Sequence, residues 1–567
     1  MQKVFRRTLT ALLIVMGLFT VTIVGAAVQI FNGIGEWHTN DDDNQQIAMA
    51  RARQRAERDA QKNAGVYLKT FSHSLNSELT DDEISAITNN IIEIVGEVRY
   101  DKKIIPLSDT QTTILYKATL KARIDTDGIY DFIKRDSKDK VIILRQNNGL
   151  QDAIQKNDTL TESLTEQYNR ATSQSEKERI RKQLNQADKD FLANQKFEEG
   201  NRLFYAKDYG GSVKLYTEAE QLIPNNASIY YNRGNAYSHL EQYERAIQDL
   251  DKAIELDPNF AAAYNNRSAI YSDLGQYEQS LKDCNKAIEL DPTDAIAYFN
   301  RGYYYYVKKD YRKAMENYNQ SVQLDPTDAD IYLNRGAVYS DLKQYEQAIQ
   351  DYDKAIELNP SLYMAYNNRG IAYKNLGDGQ RAVRDYNKAI EINPDYAEPY
   401  YNRGNLFLFA ANDFQRAIQD FDKAIQRKRD YTSAYDHRAY SYDKLKNYRQ
   451  AIEDYTKAIE LEPDNDSRYF NRGNEYRRLE DNENALIDYT KAIALNPNQY
   501  IYYQNRGVVY AATGDFKKAV EDLNKSIVLK SDNAFAYKIR AFCYQKLGDK
   551  AKAQADFAKA EELGYNG

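Results

Sequence analysis

A chain of 567 residues with 77 basic and 84 acidic side chains carries a formal net charge of -7, which gives no general pull toward nucleic acid. Two cysteines imply no disulfide framework, and the four histidines, His38, His73, His239 and His437, form no spaced set of metal ligands. Tyrosine is the compositional outlier at 49 residues, and most of the excess lies in the C-terminal two thirds.

Residues 1–27 read as an export signal: Lys3, Arg6 and Arg7 supply the charged start, residues 9–24 are apolar apart from Thr and Gly, and Gly25, Ala26 and Ala27 offer small side chains for cleavage. An uncleaved membrane anchor is the alternative, although the apolar run is short for a bilayer. No Cys follows the run, which excludes a lipoprotein-type acyl anchor. The bulk of the chain is therefore expected outside the cytoplasmic membrane, periplasmic or associated with the cell envelope.

From 28 to 137 the texture is that of a small α+β domain. A strand is predicted at 28–37 and a long helix at 44–71, with Ala48, Ala52, Ala56, Ala60 and Ala64 on one i, i+4 stripe that permits close packing on a sheet. Strands at 91–106 and 112–124 flank a turn at 107–109, and a closing helix is expected at 128–135. The element order resembles the N-terminal domain of exported bacterial proteins such as flagellar assembly protein T and the LPP20-like lipoproteins. Trp37, His38 and His73 are assigned to a core or interface. Residues 138–192 are charged and Gln-rich, with an interrupted apolar face at Leu150, Ile154, Leu160, Leu164 and Tyr168. They read as a helical, coiled-coil connector holding the small domain at some distance, with a flexible linker as the alternative.

Residues 193–567 repeat with a period of 34, in eleven copies beginning at Ala193, Ala227, Ala261, Ala295, Ala329, Tyr363, Ala397, Thr432, Asp466, Tyr500 and Ala534. Such a period means stacked supersecondary units. In the second copy Tyr230 and Tyr237 stand at positions 4 and 11, Gly234 at 8, Ala246 and Ala253 at 20 and 27, and Pro258 at 32. The small residues let two helices approach, the aromatics fill the gaps, and Pro ends the second helix. This set resembles the tetratricopeptide repeat. The resemblance implies a mainly α fold, a right-handed superhelix in which each copy is a helix A and an antiparallel helix B, with each hairpin stabilised by its neighbours. Cys284 and Cys543 fall in core slots and are expected to be buried free thiols.

Position 7 is Arg in the ten later copies, and position 23 is Asp in all of them except at Asn317; the first copy has Glu199 and Leu215 instead. Loss of both members together predicts a pair within each hairpin, for example Arg233 with Asp249 and Arg369 with Asp385, which fixes register. Position 6 is Asn232, Asn266, Asn300, Asn334, Asn368, Asn402, Asn471 and Asn505, with His437 and Ile539 as exceptions. In the family this position faces the concave groove. The series resembles the asparagine ladder of O-linked N-acetylglucosamine transferase, which implies amides bonding the backbone of an extended peptide; bonding to neighbouring repeat backbone is the alternative. Groove positions 2, 5, 9, 12 and 13 vary. Ile296, Phe299, Tyr303, Tyr306 and Val307 suggest an apolar anchor, and Phe470, Asn474, Arg477 and Arg478 a spot for an acidic segment. The carboxylate clamp of chaperone-binding members is missing, since its Lys at position 5 occurs only as Lys538.

The copy at Ala397 holds one extra residue around 410–412 and lacks Pro at position 32, so a hinge is expected near 410–431. No phosphate loop, nucleophile elbow or paired catalytic set occurs in any segment, and nothing calls for a cofactor. The reading is an exported scaffold that binds protein or peptide segments, with no nucleic-acid partner and possible membrane attachment through 1–27. The alternative is an envelope or cell-wall assembly component in which the N-terminal domain binds and the repeats act as a spacer.

Overall fold

The computed structural model describes residues 29–39, 45–74, 84, 93–108, 111–124 and 137–565. The expected export signal at 1–27 and closing helix at 128–135 lie outside these residues. No helix among the described residues is long and apolar enough to cross a membrane.

Three long strands, β1 (Gln29–Thr39), β2 (Glu93–Ser108) and β3 (Gln111–Ile124), form an antiparallel sheet in the order β1-β3-β2. Gln29 lies opposite Ile124, and Thr39 opposite Ile114. Helix α1 (Gln45–Ser74) packs on β1 and β3. All five alanines of its stripe are buried, as are Ala118, Leu120 and Ala122 of β3. With only methyl groups between backbones, polar residues of α1 can reach the edge strand: Asn63 Nδ2 donates to the Asn32 carbonyl at 3.1 Å, and Ile34 N–H to Asp59 Oδ2 at 3.1 Å. Trp37 is buried beneath the guanidinium groups of Arg51 and Arg55, at 4.8 and 4.5 Å. The side chains of His38 and His73 lie outside the described part.

Residues 137–205 form two helices, α2 (Ser137–Arg170) and α3 (Gln174–Tyr205), joined by a short turn in which Ser173 caps α3 by accepting from Glu176 N–H at 3.2 Å. Leu164, Ala171 and Ile180 hold the two helices together near this turn. The expected distance between the small domain and the repeats is not found. Arg51 of α1, 2 % exposed at its side chain, donates to Asn157 Oδ1 at 3.2 Å and to Asp188 Oδ1 at 2.9 Å, and its guanidinium lies 4.4 Å from the Phe191 ring. Moreover, α3 continues into the repeats, since its last residues are helix A of the first copy. Leu150 and Ile154 of α2 share one apolar cluster with Phe197, Tyr216 and Ile229. A buried cation paired on several sides fixes orientation, because moving it would strand each partner.

The chain divides into two compact units, Met1–Asp328 and Ala329–Gly567. The first holds the small domain, α2, α3 and repeats one to four; the second holds repeats five to eleven. Within each unit a repeat is a pair of helices such as Ala227–His239 and Tyr243–Leu256, packed on each other and on the next pair. The chain reverses between them through one residue in the left-handed region, such as Gly275 at φ 70° or Glu241 at φ 57°. Position 8 is Gly, Ala or Ser because helix B lies against it: a Cβ on Gly336 would stand 2.7 Å from the Tyr352 ring. Cys284 and Cys543 are buried free thiols, pushed up by burial to about 11.

The extra residue of the seventh copy sits inside helix A, as a π turn at Leu406–Ala410 following Ala397–Asn405. A π turn absorbs one residue without ending the helix. Asn412, at φ 53°, then makes the same left-handed reversal as its counterparts. Helices on both sides of 410–431 belong to one compact unit, Ala329–Gly567.

Candidate functional site

Each hairpin after the first is fixed by the arginine of helix A. Arg233 donates from Nε and Nη2 to the two carboxylate oxygens of Asp249 at 2.7 and 2.8 Å, and Arg369 to those of Asp385 at 2.8 and 2.7 Å. Where position 23 is Asn317, Arg301 makes one such bond, at 2.7 Å. The π turn lengthens the spacing by one residue, yet Arg403 still reaches Asp420 at 2.8 and 2.6 Å. The remaining Nη1 points to the preceding hairpin: Arg369 meets Asp353 at 2.5 Å, Arg472 meets Thr456 at 2.9 Å and Arg540 meets Asn524 at 2.7 Å. This second bond was missed from sequence, although position 25 is polar in these copies. Both carboxylates and arginine lose water here, so the fork geometry matters more than its net energy.

The asparagines of position 6 also run between hairpins. Asn232 Nδ2 donates to Asn201 Oδ1 at 3.0 Å, and Tyr216 OH donates to the same oxygen at 2.7 Å. Asn505 and Tyr489 converge in the same way on Asn474, at 2.9 and 2.8 Å. Asn266 donates to Asn235 Oδ1 at 2.7 Å and to Tyr231 OH at 3.0 Å. Asn300 and Asn402 use Asn265 and Asn367, at 2.7 and 3.0 Å. Asn368 accepts from Asn367 at 3.2 Å, Asn334 donates to its own helix at the Asp330 carbonyl at 2.9 Å, and Asn471 is half-buried. Five amide nitrogens assigned to a peptide are thus spent on side chains of the preceding repeat. Their acceptors stand at position 9 for Asn232 and Asn505, at position 5 for Asn300 and Asn402, and at both for Asn266. Where position 9 is Tyr303 or Ile371 the phenols of Tyr318 and Tyr386 are buried without a hydrogen-bond partner among the described residues.

The two variable clusters are less exposed than their composition suggests. Phe299, Tyr303 and Tyr306 are half-buried, and Phe299 lies against Tyr318 at 5.8 Å. Phe470 packs between Tyr489 and Tyr502 at 5.8 and 4.8 Å. Arg477 and Arg478 are exposed, but Arg478 is ion-paired with Asp443 and donates to Glu475 at 3.1 Å. The basic spot is therefore partly neutralised from within.

Glu475 is itself unusual. It occupies position 10, a core slot held by Ala236, Ile270 or Val338 in other copies, and is 3 % exposed. Burial pushes its carboxyl up to about 7, against the opposing pulls of Arg477 and Lys444. The folded value lies above the unfolded one, so its contribution is intact below about 4.3 and is lost as pH rises through about 7. Glu475→Gln is accordingly expected to gain stability relative to the parent as pH rises from 5 to 8, read from denaturant melts of the two proteins at both pH values. An equal difference at the two values would contradict this.

A cavity of about 210 Å³ opens on the A helices of repeats one to three, lined by Phe204, Tyr205, Ser238, His239, Asn266 and Asp273, among others. His239 stacks on Tyr209 at 4.5 Å with 4° between the planes, and Phe204 meets it edge-on at 5.3 Å. It joins groove positions 6, 12 and 13 of three successive copies, a convergence that periodicity alone does not reveal. In the second unit, His437 at position 6 places Nδ1 2.7 Å from Asn405 Oδ1 and stacks on Tyr401, and burial lowers its pKa.

Models described as tetratricopeptide repeat match residues 227–260, 329–362, 363–396, 434–465, 468–499, 250–282, 385–419 and 500–533, and one described as TPR repeat matches 200–240, 269–308 and 302–343. Among solved structures, the chain is similar to YrrB, titled a TPR protein with an unusual peptide-binding site, at 28% identity over 33% of this chain and 95% of that one, with a TM-score of 0.28. It is similar to MamA at 27% identity over 30% and 92%, with a TM-score of 0.26. A tetratricopeptide repeat protein from Parabacteroides merdae aligns at 19% identity over 44% and 98%, with a TM-score of 0.37. Comparison with curated proteins finds no match.

Proposed function

Because this chain belongs to the tetratricopeptide repeat family, whose repeats support protein–protein interaction, we propose that it is an exported scaffold that binds protein segments on the A-helix face. The observation that carries the proposal is the cavity over repeats one to three, where residues of three hairpins converge on one concave, mixed polar and aromatic surface. Export rests on the charged start and apolar run of residues 1–27. Ladder asparagines are poor test positions, since their loss would also loosen the stack. Ala269 lines the cavity without a polar role, so Ala269→Arg fills it and spares the ladder.

Capture of partners from the exported fraction is expected with the full chain and is expected to fall at least tenfold with Ala269→Arg, a loss of about 1.4 kcal/mol or more. Cell fractionation in the same strain should place the protein outside the cytoplasmic membrane. If Ala269→Arg captures as well as the parent while deletion of residues 28–124 abolishes capture, the small domain is the binder and the repeats are a spacer. A fragment beginning at 193 would be unsuitable, because it cuts α3 and uncovers Phe197 and Tyr216 from Leu150 and Ile154.

A further inference from the structure

The cavity over the first three repeats has a sign of charge as well as a shape. Phe204, Tyr205 and His239 offer ring faces and edges, and Asp273 stands at its margin. No lysine or arginine lines it, and Asp273 has no ion-pair partner among the described residues. Partial burial raises the Asp273 carboxyl above its ordinary range, as expected of a carboxylate losing water without gaining a cation. The amides contribute one group of each kind: Asn266 spends its nitrogen on Asn235 and Tyr231 and keeps its carbonyl oxygen, while Asn235 spends its oxygen on Asn266 and keeps its nitrogen; the carboxylate of Asp273 is what gives the cavity its sign.

Acceptors, rings and one uncompensated carboxylate complement a donor-rich cation. We propose that this cavity receives a lysine or arginine side chain of an extended protein segment. The inference rests on the protein-binding reading above and adds the chemistry of the residue bound. An apolar side chain would desolvate Asp273 and the Asn266 carbonyl with nothing in return. An acidic one would meet Asp273 at close range in a chain of net charge -7.

The test is selection from a random-peptide library displayed on phage, with immobilised full chain, Asp273→Asn and Ala269→Arg in parallel at low salt. Asp273 is exposed at the end of its helix A, so the isosteric Asn leaves the fold intact, which circular dichroism verifies. The expected result is one peptide position enriched about tenfold in Lys or Arg on the parent, with that column lost on both variants. Enriched peptides without a basic column overturn the cation assignment and leave the scaffold reading standing. A basic column that survives unchanged on Asp273→Asn also overturns it, by placing the cation elsewhere. No enrichment on any protein overturns both the assignment and the peptide-binding reading.

Discussion

Arg51→Ala is expected to release α1 and the sheet from the helical pair while leaving repeats five to eleven unchanged. The side chain is 2 % exposed and holds Asn157 and Asp188 by hydrogen bonds and Trp37 and Phe191 by their ring faces. Truncation removes all four contacts, opens a cavity and takes the donor from the buried Asn157 oxygen, a loss of about 3 to 5 kcal/mol. Hydrogen exchange reads the result: amides of Gln45–Ser74 should lose at least a hundredfold in protection, while those beyond Ala329 keep theirs. Arg51→Met, which restores apolar volume without charge, should recover part of the loss. Equal protection in parent and Arg51→Ala would mean that the domain is held by its alanine stripe and sheet alone.

Arg369→Ala should be costly for a different reason. Its fork onto Asp385 and its bond to Asp353 tie one hairpin internally and to its predecessor. Removing it strands the Asp385 carboxylate at 6 % exposure, and about 3 kcal/mol of local stability should go with it. Arg301 provides the internal control: its partner Asn317 is neutral, so Arg301→Ala should cost nearer 1 kcal/mol. A double-mutant cycle of Arg369 with Asp385 should return a coupling of about 1 to 3 kcal/mol in urea melts. If the two arginine variants fall within about 0.5 kcal/mol of each other, stranded charge is not what makes position 7 arginine.

These features were unequally visible in the sequence. The hairpins followed from the 34-residue period, and the Arg–Asp fork from the simultaneous loss of both members in the first copy, at Glu199 and Leu215. The strands and the alanine helix emerged because alternation and the i, i+4 stripe each report a local geometry. The bonds of the ladder asparagines to the preceding hairpin were not legible in the sequence for a physical reason. Asn232 and Asn505 use an acceptor at position 9, while Asn300 and Asn402 use one at position 5. No single column of the repeat therefore varies with position 6, and a partner that shifts column leaves no pairwise signal. The extra residue was located to within a few positions, but whether a helix breaks or bulges there depends on packing against helix B. The contact of Arg51 with α2 and α3 and the three-hairpin cavity join residues far apart in the chain, where periodicity carries no information.

The links from arginine to the preceding hairpin carry a mechanical consequence. Within each compact unit, packing and hydrogen bonds between repeats run chiefly to the adjacent hairpin, so a pulling force applied at the C-terminus loads one seam at a time. The outermost hairpin must yield before the next seam bears the load, and each 34-residue release lengthens the chain by roughly 110 Å. A stack joined in this way is expected to peel in small, repeated steps of one hairpin each.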